Sequence, residues 1–156
     1  MIAGFDRKIV EILQLNARTP NAEIARQVGL APSAIAERIR KLEERGVISG
    51  YAARLDAKTL GQSLLAFVFV RSDERLGGRR TSEQLARIPE VQEVHHVAGE
   101  DCFLVKVRVA DTEHLSRVLR ERFGGIKSVV STRTTVVLET IKESAELYLG
   151  GDERGE

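Results

Sequence analysis

The chain has 156 residues, 30% of them charged and 42% hydrophobic, with a formal net charge of +1 and one cysteine. That length allows one domain or two small ones, since domains usually run to ~100–150 residues. The composition is that of an ordinary globular chain: one cysteine excludes an internal disulfide, and no apolar run approaches the ~20 residues of a membrane span.

Charged residues beginning at Asp6 interrupt the apolar N-terminus, so no secretory signal is expected there. Together with the lone Cys102 this fits a reducing cytoplasm. The charge is unevenly spread. Residues 1–60 hold ten Lys/Arg against seven Asp/Glu, a net +3, while the remainder is net −2. The asymmetry points towards a nucleic-acid-binding N-terminal part.

In chain order, Asp6 is the expected cap of a first helix, with Phe5 just outside it and Ile9, Val10, Ile12 and Leu13 as apolar positions. Thr19-Pro20 is expected to open a second helix, the threonine capping and the proline in the first turn. Ala22, Ile24, Ala25 and Val28 give that helix an apolar face. Gly29 follows, where a chain leaving a helix needs a left-handed residue. Pro32 then sits at the start of a third helix, where its missing N–H costs nothing. The expected cap, Ala31, has no side-chain oxygen and forgoes roughly 1 kcal/mol.

Ile35, Ile39 and Leu42 recur at helical spacing and form one buried stripe. The far side carries Ser33, Glu37, Arg40, Lys41 and Glu44, with Arg38 on one flank. This is a helix-turn-helix pattern, with the second helix of the pair shaped for a DNA major groove. Val47 and Ile48 lie between Gly46 and Gly50, an exit that suggests a winged variant.

Arg54 to Gly61 is polar and aperiodic, a hinge. Leu64 to Val70 is an apolar run of strand length, and Thr81-Ser82-Glu83-Gln84 has capping-box spacing for a short helix stopped by Pro89. Val91 to Val97 reads as a strand. Phe103, Val105, Val107 and Val109 alternate with Cys102, Leu104, Lys106 and Arg108, a period of two. Asp111 should cap a helix carrying Leu115, Val118, Leu119 and Phe123, ended by Gly124-Gly125. Val129 to Leu138 is a last strand. The order β-α-β-β-α-β is that of a ferredoxin-like domain. Both helices must cover one sheet face, so the other, with Leu104 among polar residues, calls for a partner subunit.

The fold class is therefore α+β: a (winged) helix-turn-helix over 1–53, a linker over 54–63, and a ferredoxin-like oligomerisation domain over 64–142. Residues 143–156 form a tail, with Gly150 to Glu156 expected to be disordered.

This arrangement resembles the Lrp/AsnC family of transcription regulators from about Asp6 to Lys142. The resemblance is carried by Glu23-Ile24-Ala25, Val28-Gly29-Leu30, Arg38-Ile39, Leu42-Glu43, Gly46-Val47-Ile48, Gly50-Tyr51 and Leu60-Gly61. In the second domain Ile88-Pro89-Glu90-Val91 and Gly99-Glu100-Asp101 also match. The resemblance implies a small effector, commonly an amino acid, bound between dimers near the loop Ala98-Gly99-Glu100-Asp101. Thr132 and Thr134 of the last strand would add hydroxyls. It also implies homodimers assembling to tetramers or octamers. A glycine there lets backbone N–H groups approach a carboxylate, and an acid can hold an ammonium. On sequence physics alone the same tripeptide is an ordinary hairpin turn.

For DNA, Ser33, Ala34 and Glu37 are expected at the groove floor, Arg40 and Lys41 at phosphates or guanine edges, and Arg38 at phosphate. Glu37 is a candidate for accepting from cytosine N4. Siroheme decarboxylases share this architecture and are the enzymatic alternative. In them the loop and following strand carry an aromatic, typically Trp-containing, motif; here those positions read Asp101-Cys102-Phe103-Leu104, and the chain has no Trp. His95-His96 is a weak metal candidate because neighbouring strand residues point to opposite faces. Cys102 reads as a packed thiol. No cofactor is expected, and no catalytic residue.

Overall fold

In the computed structural model, residues 2, 4–75 and 78–150 are described. The chain divides into two compact units, one running to Ala53 and joined by the stretch from Lys142, the other spanning Arg54–Ile141.

The first unit is built from α1 (Gly4–Leu15), α2 (Asn21–Val28) and α3 (Pro32–Glu44). Ile9, Leu13, Ile24, Ala25, Val28, Ile35 and Leu42 form its core. Each helix is too short to be stable alone, and this shared apolar contact holds the three together. Gly29 ends α2 at φ 81°, its N–H donating to the Ala25 carbonyl at 2.8 Å. Ala31 caps α3 with no side-chain hydrogen bond, as its chemistry requires.

Two expected caps take other roles. Thr19 does not cap α2: Pro20 holds that position, and the Thr19 hydroxyl donates to the Asn16 carbonyl at 2.8 Å. Asp6 lies inside the first turn of α1, and its carboxylate accepts from Arg38 instead.

The exit from α3 is not a strand-built wing. Among the described residues, 45–63 contain no strand. Gly46 at φ 68° turns the chain, and the N–H groups of Gly46 and Val47 go back to the carbonyls of Glu43 and Leu42 at 2.9 Å each. The β-branched pair thus closes a glycine-type helix cap, and Ile48 packs on the three-helix core. The tail also returns to this unit: the Gln14 amide nitrogen donates to the Leu147 carbonyl at 3.0 Å, and its oxygen accepts the Leu147 N–H at 2.8 Å. The disorder expected for Gly150 to Glu156 falls, from 151 onward, outside the described residues.

The second unit has β1 (Leu64–Ser72), α4 (Arg80–Ala86), β2 (Val91–His96), β3 (Phe103–Val109), α5 (Thr112–Val118) and β4 (Val129–Val136). Its sheet order is β2-β3-β1-β4, with every neighbouring pair antiparallel. Alternation sends Val68, Val70, Phe103, Val105, Val107 and Val109 to one face, where they pack with Leu85, Leu115, Val118 and Phe123. The expected capping box does not form. The Thr81 hydroxyl is fully buried between Ser72 Oγ (3.1 Å) and Ser128 Oγ (2.7 Å). The Glu74 carboxylate instead accepts the N–H groups of Arg80 and Thr81, because an ionised acceptor makes the stronger cap. Asp111 does cap α5, accepting from the His114 N–H at 2.7 Å.

After Val118 the helix widens into a π-helical turn, Leu119–Phe123, which delivers a fully buried Phe123 to the core. A Cβ on Gly124 would collide with the Arg120 carbonyl oxygen. Gly124→Ala is therefore expected to lower stability by about 1–3 kcal/mol in urea unfolding, with no change in the slope of the transition.

Candidate nucleic-acid interface and effector loop

The outward face of α3 is polar because its inward stripe is fully used: Ile35 and Leu42 are buried. Ser33, Glu37, Arg40 and Lys41 are exposed there, and Ala34 and Arg38 are half-buried. The six residues expected to meet DNA thus lie along one side of one helix, in two different states.

Arg38 is half-buried and tied to α1. Its Nη1 donates to Asp6 Oδ1 at 2.7 Å, and its guanidinium lies 5.5 Å from the Phe5 ring centroid. Arg45, which the sequence reading did not select, approaches the same carboxylate at 3.9 Å. Nothing in the local pattern announces this cluster, since Asp6 and Arg38 are 32 positions apart.

Arg40 and Lys41 instead form a chain of pairs along α3. Arg40 donates twice to Glu37, at 2.9 and 2.7 Å, and also to Glu44 Oε1. Lys41 Nζ is 3.4 Å from Glu37. These are i,i+3 and i,i+4 spacings. Hydrogen bonds from Arg40, then Lys41, hold the Glu37 carboxyl down at about 2. A depressed carboxyl keeps its pairing above its ordinary value of 4.5 and loses it only as pH falls towards that lower value. Between about pH 5 and 8 the pair is therefore constant in the free protein.

The β2–β3 connection is closed by the Val97 N–H donating to the Cys102 carbonyl at 3.0 Å, with Gly99 at φ 133°. Ala98, Gly99 and Glu100 are exposed, and Asp101 is half-buried. Asp101 Oδ2 accepts from Arg133 Nη2 of β4 at 3.0 Å, and the Arg133 guanidinium lies 4.0 Å from the Phe69 ring centroid. The expected threonines are not part of this group. Thr132 pairs with Val70 and Thr134 with Val68, so both lie on the helix-covered side, whereas Arg133 pairs with Phe69 on the other. Strand alternation decides this, and a one-residue offset along β4 would have found Arg133.

The histidines diverge as strand geometry demands: His95 Nε2 lies 3.1 Å from Glu93, and His96 packs on the Phe103 ring. Cys102 is half-buried, its sulfur accepting the Ser72 N–H at 3.4 Å.

On the helix-free face, Leu104, Phe69 and Arg133 form one cross-strand row. Phe67, Phe69 and Leu104 are half-buried there.

The AsnC-type helix-turn-helix domain profile matches residues 4–43, and the Lrp/AsnC ligand binding domain profile matches 65–147. The chain belongs to the Lrp/AsnC family. It is 41% identical over 144 residues to the HTH-type transcriptional regulator FL11 of Pyrococcus horikoshii, covering 91% of this chain and 93% of that protein. It is 37% identical over 148 residues to the leucine-responsive regulatory protein of Escherichia coli, covering 92% and 89%. Among solved Lrp/AsnC-type structures, the transcriptional regulator NMB0573/L-Met complex of Neisseria meningitidis superposes with a TM-score of 0.89 at 27% identity, over 96% of this chain and 97% of that one. Escherichia coli AsnC gives 0.86 at 29% identity, over 94% and 98%. As an Lrp/AsnC protein the chain is a DNA-binding transcriptional regulator with a second, ligand-binding domain. Among the described residues, no helix is long and apolar enough to cross a membrane.

Proposed function

We propose that this regulator reads double-stranded DNA with α3 and works as a homodimer assembling to tetramers or octamers. Its DNA binding is tuned by an amino acid held near Ala98–Asp101. The observation that carries the reading is an exposed, cation-bearing α3 at the reading position of a matched helix-turn-helix. Ser33, Ala34 and Glu37 lie in the N-terminal half of the helix, where base edges are reached, and Arg40 and Lys41 lie nearer the backbone.

The amino-acid part draws support from relatives: the Neisseria meningitidis regulator is an L-Met complex, and a Mycobacterium tuberculosis feast or famine regulatory protein is complexed with L-methionine. In this chain Asp101 and Arg133 supply opposite charges beside an exposed glycine loop, a pairing suited to an ammonium and a carboxylate. The dimer rests on the helix-free sheet face. The protein acts in the cytoplasm, where its DNA is. A non-enzymatic role is supported by the regulator names of its relatives, and the absence of Trp counts against the decarboxylase alternative.

The test is titration against DNA from upstream of its own coding sequence, at two salt concentrations, with and without a pool of common amino acids. Salt-dependent binding that shifts with the pool is the expected result. Binding that ignores the pool overturns the effector part. Failure to bind this or any duplex from a random pool overturns the DNA part.

A further inference from the structure

All four basic side chains along the reading helix and its exit are already paired within the protein. Arg38 meets Asp6 at 2.7 Å, Arg40 meets Glu37 at 2.7 Å, Lys41 meets Glu37 at 3.4 Å and Arg45 meets Asp6 at 3.9 Å. Arg40 also meets Glu44. Yet Arg40, Lys41 and Arg45 keep 53%, 60% and 56% of their side chains exposed, so a duplex can reach them. Three carboxylates thus share four cations on the surface that would face a polyanion.

Binding to unselected DNA comes from neutralising phosphates, and each carboxylate beside a contacting cation subtracts from it. Resting on the α3 reading above, we propose that Asp6, Glu37 and Glu44 form a charge brake that suppresses binding to unselected DNA, and that Glu37 converts this brake into sequence preference. The three acids are not equivalent. Asp6 belongs to α1, and Glu44 ends α3. Glu37 stands one turn after Ser33 and Ala34, where base edges are read. When Arg40 and Lys41 both turn to phosphates or a guanine, Glu37 loses its bidentate donor and its second cation and needs another donor. A cytosine amino group supplies one; a phosphate or an acceptor-only base edge leaves the carboxylate unpaired and repelled.

The test compares Glu37→Gln and Glu44→Gln with wild type on two duplexes. One is recovered from a random pool by the wild-type protein, the other is its scrambled counterpart, and both are titrated over a series of salt concentrations. Both side chains are exposed, and thermal melts are to check that each variant is folded. Glu44→Gln is expected to strengthen binding to both duplexes alike, by about threefold. Glu37→Gln is expected to strengthen only the scrambled duplex, by about threefold to tenfold, so that the ratio between duplexes falls by the same factor.

The inference is overturned if Glu37→Gln leaves the scrambled duplex unchanged or shifts both duplexes equally. It is also overturned if Glu113→Gln, an acid of the other unit, does the same, since net charge alone would then explain the result. Arg40→Ala in the same titration separates this inference from its parent. Loss of binding there with no effect of Glu37→Gln defeats the brake alone. Unchanged binding by Arg40→Ala, or a wild type that selects no duplex, defeats both.

Discussion

Leu104→Asp is expected to yield a folded monomer in place of the proposed dimer. Leu104 sits on central strand β3, opposite Phe69 of β1 and His95 of β2, on the face that neither helix covers. The helix-side core is complete without it. A carboxylate at this position costs the isolated unit about 1 kcal/mol through strand preference. In a subunit interface it would be buried without a partner, and such central positions cost ~2 kcal/mol or more, a shift of roughly thirtyfold in dissociation. Light scattering coupled to size exclusion, with circular dichroism to confirm the fold, reads the result. Retention of the wild-type mass would show that this face is not the subunit interface. DNA affinity should fall with assembly, because a dimer places two reading helices on one duplex and a monomer only one.

Arg40→Ala is expected to weaken binding to every duplex and to flatten the dependence of affinity on salt by about one unit of slope, the signature of one lost phosphate contact. Glu37→Ala should instead change which bases are preferred. Arg38→Ala makes the informative contrast. Its guanidinium is tied to Asp6 and lies over Phe5, so its removal should lower the stability of the helix-turn-helix by about 0.5–1 kcal/mol and leave the salt slope nearly unchanged. Quantitative binding at four or more salt concentrations distinguishes the three. If Arg38→Ala flattened the slope as much as Arg40→Ala, Arg38 would leave Asp6 on binding and join the phosphate contacts.

Much of this fold was readable from the chain. The stripe of Ile35, Ile39 and Leu42 placed α3, and Gly29 and Asp111 marked the end of α2 and the start of α5. Signals of this kind lie within one or two turns of the element they define, which is why periodicity and capping chemistry recover them. The same locality misled where a residue had a better distant partner. Thr81 had the spacing of a cap, yet its hydroxyl is held by Ser72 and Ser128, and Glu74 caps the helix instead. Val47 and Ile48 had wing-like composition, yet among the described residues 45–63 form no strand, and their N–H groups return to α3.

By itself, then, the sequence determined the order of elements, the buried stripe of the reading helix, and the two-faced sheet whose alternation leaves Leu104 uncovered. Only the tertiary structure decided which charged groups act together. Asp6 with Arg38, and Asp101 with Arg133, each join residues 32 positions apart. Ion pairs at that separation carry no period and no spacing rule, because they depend on where the fold returns the chain. Arg133 rather than Thr132 or Thr134 reaches the loop because register, set by packing of the whole sheet, decides which face each strand residue takes.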